Sequence, residues 1–264
     1  MIRLIATDLD GTLLHTDGTV TARTRAALDT LQARGVLVVF VSGRPVRWME
    51  PLWPHVGDHG LAICSNGGIV YDVPGRRIVE ALAIPRDVGL EVAGLVRESV
   101  PGSAFAVERT TGFGREPEYV PDRPPREGEV PQIAPLDELF DDTVVKLIAI
   151  HHGRPPEDYW ASVEKAAGHL VTTTWSSVSA LVEMSAHGVT KASTLARVCA
   201  ERGIDRDEVL AFGDMPNDIG MLEWAGTSYA MGNAHPLTLA AADGRAPPND
   251  QDGVATVLEE LLGA

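Results

Sequence analysis

Short apolar runs that alternate with segments of helical character constrain the fold of this chain more than any other feature. Runs at 2–7, 36–41, 61–65, 208–212 and 228–231 predict buried strands. Helices are predicted over 21–34, 190–202 and 253–262, with another that ends near Trp224. Strands that alternate with helices imply a parallel sheet covered on both faces. The two ends of the chain therefore predict an α/β core.

The middle of the chain has a different pattern, which begins after about residue 84. It predicts helices at 86–98 and 156–167, strands at 144–151, 171–176 and 180–184, and a loop rich in Pro, Gly and charge over 110–135. We therefore expect an inserted α+β domain at 84–187, between two parts of the core at 1–83 and 188–264. Hinges are expected at 80–86 and 185–190.

Charge and composition exclude some classes of function. The 264-residue chain has a formal net charge of −15, which argues against a general nucleic-acid binder because such proteins carry a basic face. A local positive site can still bind an anion. The longest apolar run, Val36–Val41, is too short to cross a bilayer, and no signal peptide is expected at the N-terminus. We expect a cytoplasmic monomer or weak homodimer without membrane contact.

Polar side chains follow three of the predicted strands. Together with a lysine that begins a predicted helix, the set comprises Asp8, Asp10, Ser42 with Gly43, Lys191, Asp214, Asn217 and Asp218. In open parallel sheets, ligands bind beyond the carboxyl ends of the strands. We therefore expect these residues to form one ligand site.

Asp8 and Asp10 stand two residues apart at the end of the first strand, so their side chains leave the same face of an extended chain. Two close carboxylates repel each other and are costly to bury unless a cation joins them. Mg²⁺ is a natural partner, since it takes one or two carboxylates, water and substrate phosphate, and Asp214 could complete the set. A turn in which Asp8 caps backbone amides stays open as the alternative for this pair alone.

Ser42, Gly43 and Lys191 are candidates for binding a phosphate. A hydroxyl and exposed N–H groups between a buried strand and a helix can hold phosphate oxygens, although a plain serine N-cap also fits. Lys191 is one of three lysines and lies in a first helical turn, where the macrodipole disfavours a cation. This conflict favours a specific anion as the partner of Lys191, and a solvated charge is the alternative.

Together these residues resemble the motifs of the haloacid dehalogenase superfamily, in the same order and spacing. Asp-Leu-Asp-Gly-Thr-Leu-Leu at 8–14 resembles the first motif, Ser42 the second, Lys191 the third and 213–218 the fourth. Ser-Asn-Gly-Gly at 65–68 and Gly-Val-Thr-Lys at 188–191 flank the insert, which resembles the type IIB cap of the Cof-like branch. The resemblance implies a Rossmann-like parallel-sheet core with an inserted α+β cap domain.

The resemblance also implies roles for the acidic residues. Asp8 would attack phosphorus to form an aspartyl-phosphate. Asp10 would protonate the leaving alcohol and later deprotonate the attacking water. Mg²⁺ would be held by Asp8, Asp214 and the backbone carbonyl of Asp10.

The remaining residues of the set would bind or support the phosphoryl group. Its oxygens would be bound by four residues, Ser42, Gly43, Lys191 and Asn217. Thr12 and Asp218 would support these groups from behind, Asp218 by orienting Lys191 or a metal-bound water.

Phe113, Arg115 and Glu116, in the predicted Gly- and Pro-rich loop, are candidates for lining the substrate pocket. A solvated loop without contact to substrate is the alternative.

The resulting prediction is a Mg²⁺-dependent phosphatase of small phosphorylated metabolites. One alternative is a phosphosugar mutase like the phosphomannomutases, which would return the phosphate to the sugar. Another is a dedicated sugar-phosphate phosphatase, for example of sucrose or mannosylglycerate phosphates, which would differ only in the cap. A non-catalytic binding protein on this fold is the third, but the complete set of Asp8, Asp10, Lys191 and Asp214 speaks against it.

Overall fold

The computed structural model describes residues 1–53, 60–122, 129–175 and 179–263. The chain divides into two compact units, the first formed by residues 1–80 and 190–264 and the second by residues 81–189. Assignment of 84–187 as a cap that moves on hinges at 80–86 and 185–190 stays a prediction.

In chain order the strands of the described residues are β1 (Leu4–Thr7), β2 (Leu37–Val41), β3 (Leu61–Cys64), β4 (Ile69–Asp72), β5 (Arg77–Ala81), β6 (Ala104–Arg109), β7 (Gly112–Arg115), β8 (Gln132–Ile133), β9 (Val144–Ile150), β10 (Val171–Thr174), β11 (Leu181–Ala186), β12 (Val209–Gly213), β13 (Thr227–Met231) and β14 (Gly244–Ala246). The α-helices are α1 (Ala22–Ala33), α2 (Arg86–Ser99), α3 (Leu136–Leu139), α4 (Pro156–Ala167), α5 (Lys191–Glu201), α6 (Ile219–Trp224), α7 (Pro236–Ala241) and α8 (Gly253–Gly263).

The first unit is built on one sheet in the order β14-β13-β12-β1-β2-β3-β4-β5. Its neighbours from β14 to β3 run parallel, which confirms the predicted α/β core. The sheet is not parallel throughout, because the turn at 65–68 sends β4 back antiparallel to β3. After Pro45 the chain forms two short 3₁₀ turns, Val46–Trp48 and Glu50–Leu52.

Both faces of the central strands are buried, as the continuous apolar runs predict. Leu4, Ala6 and Val39 face a cluster that includes residues of α5 and α6. The alternate residues, Ile5 and Val38 among them, are equally buried, and α1 packs against β2 and α8. The helices therefore hold the sheet between two layers and leave the ends of its strands for function.

The second unit is an α+β unit on a sheet in the order β10-β11-β9-β6-β7-β8. Helices α2 and α4 pack together and contribute to the cluster that covers one face of this sheet. The predicted loop over 110–135 was wrong in part, because β7 pairs with β6 and β8 pairs with β7 within that stretch. The glycines of β7 give little local signal, so pairing with β6 decides its structure.

Among the helices of the described ranges, none combines the length and the apolar character that a bilayer crossing requires.

Candidate active site

Neighbouring strands of the first sheet bring the candidate residues to one edge. Asp8 follows β1, Ser42 follows β2 and Asp214 follows β12, and these three strands are adjacent in the order β12-β1-β2. Because parallel strands end at the same edge of a sheet, residues more than two hundred positions apart lie close together.

Lys191 lies at the centre of this edge. Its ammonium Nζ donates to Asp8 Oδ1 at 2.6 Å and to Asp218 Oδ1 at 2.7 Å, and its side chain is only 2% exposed. Burial alone would lower its pKa, but the charges of Asp218 and Asp8 outweigh burial and raise the pKa of Lys191. Lys191 is therefore a buried cation paired with two carboxylates, and the solvated-charge alternative is wrong.

The start of α5 fixes the position of this lysine. The Thr190 hydroxyl accepts from Ser193 N–H at 3.0 Å, and Thr190 N–H donates to the Ser193 hydroxyl at 2.9 Å. This reciprocal cap satisfies N–H groups that a helix start leaves open, so Lys191 is the first residue of a well-defined helix. The two carboxylates compensate for the unfavourable position of a cation at the positive end of the helix.

Asp218 fixes the turn that carries Asp214. While Oδ1 accepts from Lys191, Oδ2 accepts from the backbone N–H groups of Asp214 at 3.1 Å and Met215 at 3.0 Å. Both oxygens of this fully buried carboxylate are thus engaged. The contact expected from Asp218 orienting Lys191 is present, and its role in catalysis stays a prediction.

Asp8, Asp214 and Asp218 form a buried carboxylate group, in which one oxygen from each lies within 4.8 Å of the others. Burial, and then the charge of Asp218, raise the pKa of Asp214 to about 7. Burial also raises the pKa of Asp8 well above its usual value, against the opposing effect of Lys191. Three carboxylates against one ammonium leave two formal negative charges, which a divalent cation would balance. The donor set therefore fits a hard divalent metal ion.

Gly11 and Thr12 shape the approach to Asp214. Thr12 Oγ1 donates to Asp214 Oδ1 at 2.9 Å. Gly11 has a φ of +76°, and a Cβ built on it would stand 2.3 Å from Asp214 Oδ2. Only glycine satisfies both the backbone conformation and this close approach.

The side chain of Asp10 does not belong to the carboxylate group. Arg44 holds it instead, with Nε 2.6 Å from Oδ2 and Nη2 2.5 Å from Oδ1. Arg44 is not among the residues predicted from the sequence, because a single arginine after Ser42-Gly43 carries no signal of the side chain it will contact. The predicted use of the Asp10 backbone carbonyl as a metal ligand stays a prediction.

Asn66 connects two of the predicted phosphate-binding residues. Asn217 Nδ2 donates to Asn66 Oδ1 at 3.2 Å, and a Cβ built on Gly43 would lie 3.0 Å from the same oxygen. Ser65 and Asn66 have φ values of +53° and +56°, a left-handed conformation that is costly for residues other than glycine. The sequence shows this segment as part of the family resemblance. Its contacts with the loops after two other strands are visible only in the structure.

Ser42 lies in the loop after β2 and is buried. Its hydroxyl accepts from the N–H of Arg44 at 3.0 Å, and its carbonyl accepts from the N–H of Asn66 at 3.1 Å. Ser42 and Arg44 therefore form a turn. The predicted phosphate-binding roles of Ser42 and Gly43 stay predictions.

In the second unit, Phe113 and Arg115 lie on the same side of β7. Arg115 donates to the carbonyls of Glu116 at 3.2 Å and Tyr119 at 2.9 Å. Glu116 is buried, bonds Arg97, and accepts from the N–H of Phe105 at 2.9 Å. The polar groups of Arg115 and Glu116 therefore stabilise this unit, and a substrate contact for these three residues stays a prediction.

Comparison with known proteins identifies the family. A family model described as haloacid dehalogenase-like hydrolase matches residues 5–258. The chain belongs to this family.

Relatives named as phosphatases match this haloacid dehalogenase-like chain over nearly its whole length. It is 30% identical to the pyridoxal phosphate phosphatase YbhA of Escherichia coli (strain K12), over 98% of each chain. It is 28% identical to the 5-amino-6-(5-phospho-D-ribitylamino)uracil phosphatase YitU of Bacillus subtilis (strain 168), over 98% of this chain and 97% of the relative. The predicted phosphatase is confirmed.

The fold agrees with the same family. The structure of the subclass IIB sugar phosphatase BT4131 matches with a TM-score of 0.80 at 21% identity, over 98% of each chain. The predicted α/β fold with a parallel-sheet core is thereby confirmed.

Proposed function

We propose that this protein is a Mg²⁺-dependent phosphatase of small phosphorylated metabolites that works through an aspartyl-phosphate on Asp8. The observation that supports this most directly is the buried group in which Lys191 bridges Asp8 and Asp218 beside Asp214. Such a group is expensive to bury, and its two surplus negative charges fit a divalent cation.

In the first step, Lys191, Ser42, Gly43 and Asn217 bind the phosphoryl oxygens. Asp8 attacks phosphorus with the oxygen that Lys191 does not hold, and the bond from phosphorus to the leaving oxygen breaks. Asp10 gives its proton to that oxygen, so an alcohol leaves and Asp8 carries the phosphoryl group. Holding the reacting groups in line supplies a large part of the rate enhancement.

In the second step, water attacks phosphorus and Asp10 accepts its proton. The bond from phosphorus to Asp8 breaks, which restores the carboxylate and forms inorganic phosphate. Dividing hydrolysis into two displacements is covalent catalysis, and it uses one carboxyl first as acid and then as base.

A divalent ion would be held by Asp8, Asp214 and the backbone carbonyl of Asp10. When bound, it reduces the electrostatic repulsion between the Asp8 carboxylate and the substrate phosphate. We propose Mg²⁺ because it prefers oxygen donors and keeps water and phosphate among its ligands.

Relatives support a small phosphorylated metabolite as substrate. The names of two of them give pyridoxal phosphate and a phosphoribitylamino-uracil as substrates, and a neighbour of the same fold is a sugar phosphatase. The substrates named for these three proteins are all phosphate monoesters of small molecules. Cytoplasmic residence and a monomeric or weakly dimeric state stay predictions from the sequence.

The proposal is tested by release of inorganic phosphate from a panel that includes pyridoxal phosphate and hexose phosphates, with Mg²⁺ or with EDTA. We expect Mg²⁺-dependent release by the wild type and its loss in Asp8→Asn. A control is Asp207→Asn, whose side chain is 89% exposed and lies outside the site. Asp8→Asn with more than a few per cent of wild-type activity would contradict the role of Asp8.

The same panel separates the alternatives. A mutase would convert a hexose monophosphate only with a bisphosphate activator and without releasing phosphate. A binding protein would release phosphate from no monoester.

A further inference from the structure

Arg44 and Asp10 form a two-bond ion pair at the edge of the site. Arg44 Nε and Nη2 each donate to a different oxygen of Asp10, at 2.6 Å and 2.5 Å. The Arg44 side chain is 16% exposed and the Asp10 side chain 59% exposed. The planar guanidinium fork matches a carboxylate in one orientation, so the pair fixes both the position and the plane of the Asp10 carboxyl.

The backbone of Arg44 is itself fixed from two sides. Its N–H donates to Ser42 Oγ at 3.0 Å, and its carbonyl accepts from Ser65 N–H at 2.9 Å. Arg44 is thereby tied to the loop after β2 and to the loop after β3. The guanidinium starts from an anchored point rather than from a free surface loop.

Asp10 has less support of its own. It lies outside the carboxylate group of Asp8, Asp214 and Asp218. Its side chain is more than half exposed, so without Arg44 the carboxyl would be free to change rotamer. An ion pair with one exposed partner adds only about 0–1 kcal/mol to stability, so folding gives little reason for it.

We propose that Arg44 is a positioning residue for the proton-transfer step, acting through Asp10. It holds the Asp10 carboxyl where the leaving oxygen departs and where the attacking water later arrives. This inference rests on the proposed phosphatase mechanism and adds to it a residue that the mechanism does not yet contain. A displacement of about 1 Å in a catalytic group can cost about a hundredfold in rate, so an orienting partner has a measurable effect.

The leaving group provides a test that general damage to the site would not mimic. p-Nitrophenolate departs without a proton, whereas an alkoxide needs one from the general acid. Arg44→Gln should therefore lower kcat/KM for an alkyl phosphate at least about tenfold more than kcat/KM for p-nitrophenyl phosphate, since general acid catalysis contributes about 10²–10⁴-fold.

Asp10→Asn should show the same selective loss. The double variant with Arg44→Gln should lose little more than Asp10→Asn alone, because residues that act through one another are not additive.

A matched control exists in the same unit. Arg23 forms the same fork on Glu259, with Nε 2.9 Å from Oε1 and Nη2 2.6 Å from Oε2, away from the site residues. Arg23→Gln should leave the ratio of the two kcat/KM values unchanged. If Arg44→Gln lowers Tm more than Arg23→Gln does, Arg44→Lys keeps a cation beside Asp10 without the two-bond fork and serves as the second variant for the same ratio.

Three results would overturn the inference. The first is an equal fall in kcat/KM of Arg44→Gln on both substrates. The second is weaker inhibition of Arg44→Gln by inorganic phosphate. The third is a double variant whose fall in kcat/KM is the product of the falls in the two single variants. The first two would assign Arg44 to phosphate binding instead. Failure of the proposed function is distinct, because the wild type would then release phosphate from neither substrate.

Discussion

Removing the metal should make the stability of this protein fall as pH rises, and Asp214 gives the reason. Without a cation, burial and the Asp218 carboxylate raise the pKa of Asp214 to about 7, whereas an aspartate in the unfolded chain has a pKa of about 3.9. Below about pH 4 both states are protonated, and the group costs nothing. As pH rises towards 7 the unfolded state ionises first, so the free energy of unfolding decreases.

The size of this effect follows from the same two pKa values. A rise from about 3.9 to about 7 corresponds to a loss on the order of 4 kcal/mol, nearly complete once the pH exceeds 7. The pKa of Asp8 is also raised by burial, so its contribution has the same sign. A divalent cation favours the ionised carboxylates and should restore most of the loss.

Urea unfolding followed by tryptophan fluorescence, between about pH 5 and about pH 8, measures this linkage. Metal-free wild type should become steadily less stable over that range, and the same protein with Mg²⁺ should not. Asp214→Asn removes the buried charge and keeps an acceptor for Thr12. It should therefore be more stable than metal-free wild type at the upper pH and should gain little from Mg²⁺.

A metal-free protein whose stability is flat from about pH 5 to about pH 8 would refute this reasoning. So would an equal gain from Mg²⁺ in wild type and in Asp214→Asn. Either result would mean that the buried carboxylates do not bind a divalent cation that stabilises their ionised form.

Four further substitutions test local features of the structure. Lys191→Met leaves two buried carboxylates without their cation, so urea unfolding should show a loss of about 3–5 kcal/mol and phosphate-release assays a large fall in kcat/KM. An unchanged kcat/KM would remove Lys191 from the mechanism. Gly11→Ala forces a Cβ against Asp214 at a positive φ and should weaken Mg²⁺ activation, measured as the Mg²⁺ concentration for half-maximal rate. In α2, Gly89→Ala should lower stability by about 1–3 kcal/mol because its Cβ would meet a buried aromatic ring, whereas Gly94→Ala, with open space around it, should raise stability by up to about 1 kcal/mol. Thermal melts that rank these two variants in the opposite order would contradict the packing described for α2.

Local patterns sufficed for the core because its strands are continuous apolar runs with polar residues at one end. The predicted helices at 21–34 and 190–202 begin at Thr21 and Thr190, and each of these threonines accepts a backbone N–H of its helix. The second unit was harder. Strand β6 pairs with the distant β9, β8 pairs with β7 across a long connection, and the Gly-Phe-Gly-Arg of β7 has little intrinsic strand preference.

For the site, the sequence could supply the chemistry but not the side-chain partners. The gathering of Asp8, Ser42 and Asp214 follows from where parallel strands end. The engagement of Asp10 by Arg44 and of Asn217 by Asn66 does not, because each depends on a side-chain direction that only packing decides. Asn66 also adopts a left-handed backbone that no propensity would predict for two successive residues other than glycine.

The proposed mechanism requires that the Asp8 carboxylate itself becomes phosphorylated. Quenching the enzyme during turnover with borohydride reduces an acyl phosphate to an alcohol, and peptide mass spectrometry then locates the modified residue. We expect Asp8 to be the reduced residue, only when substrate and Mg²⁺ are both present. Turnover with reduction at another carboxylate, or with no reduced residue at all, would contradict the account.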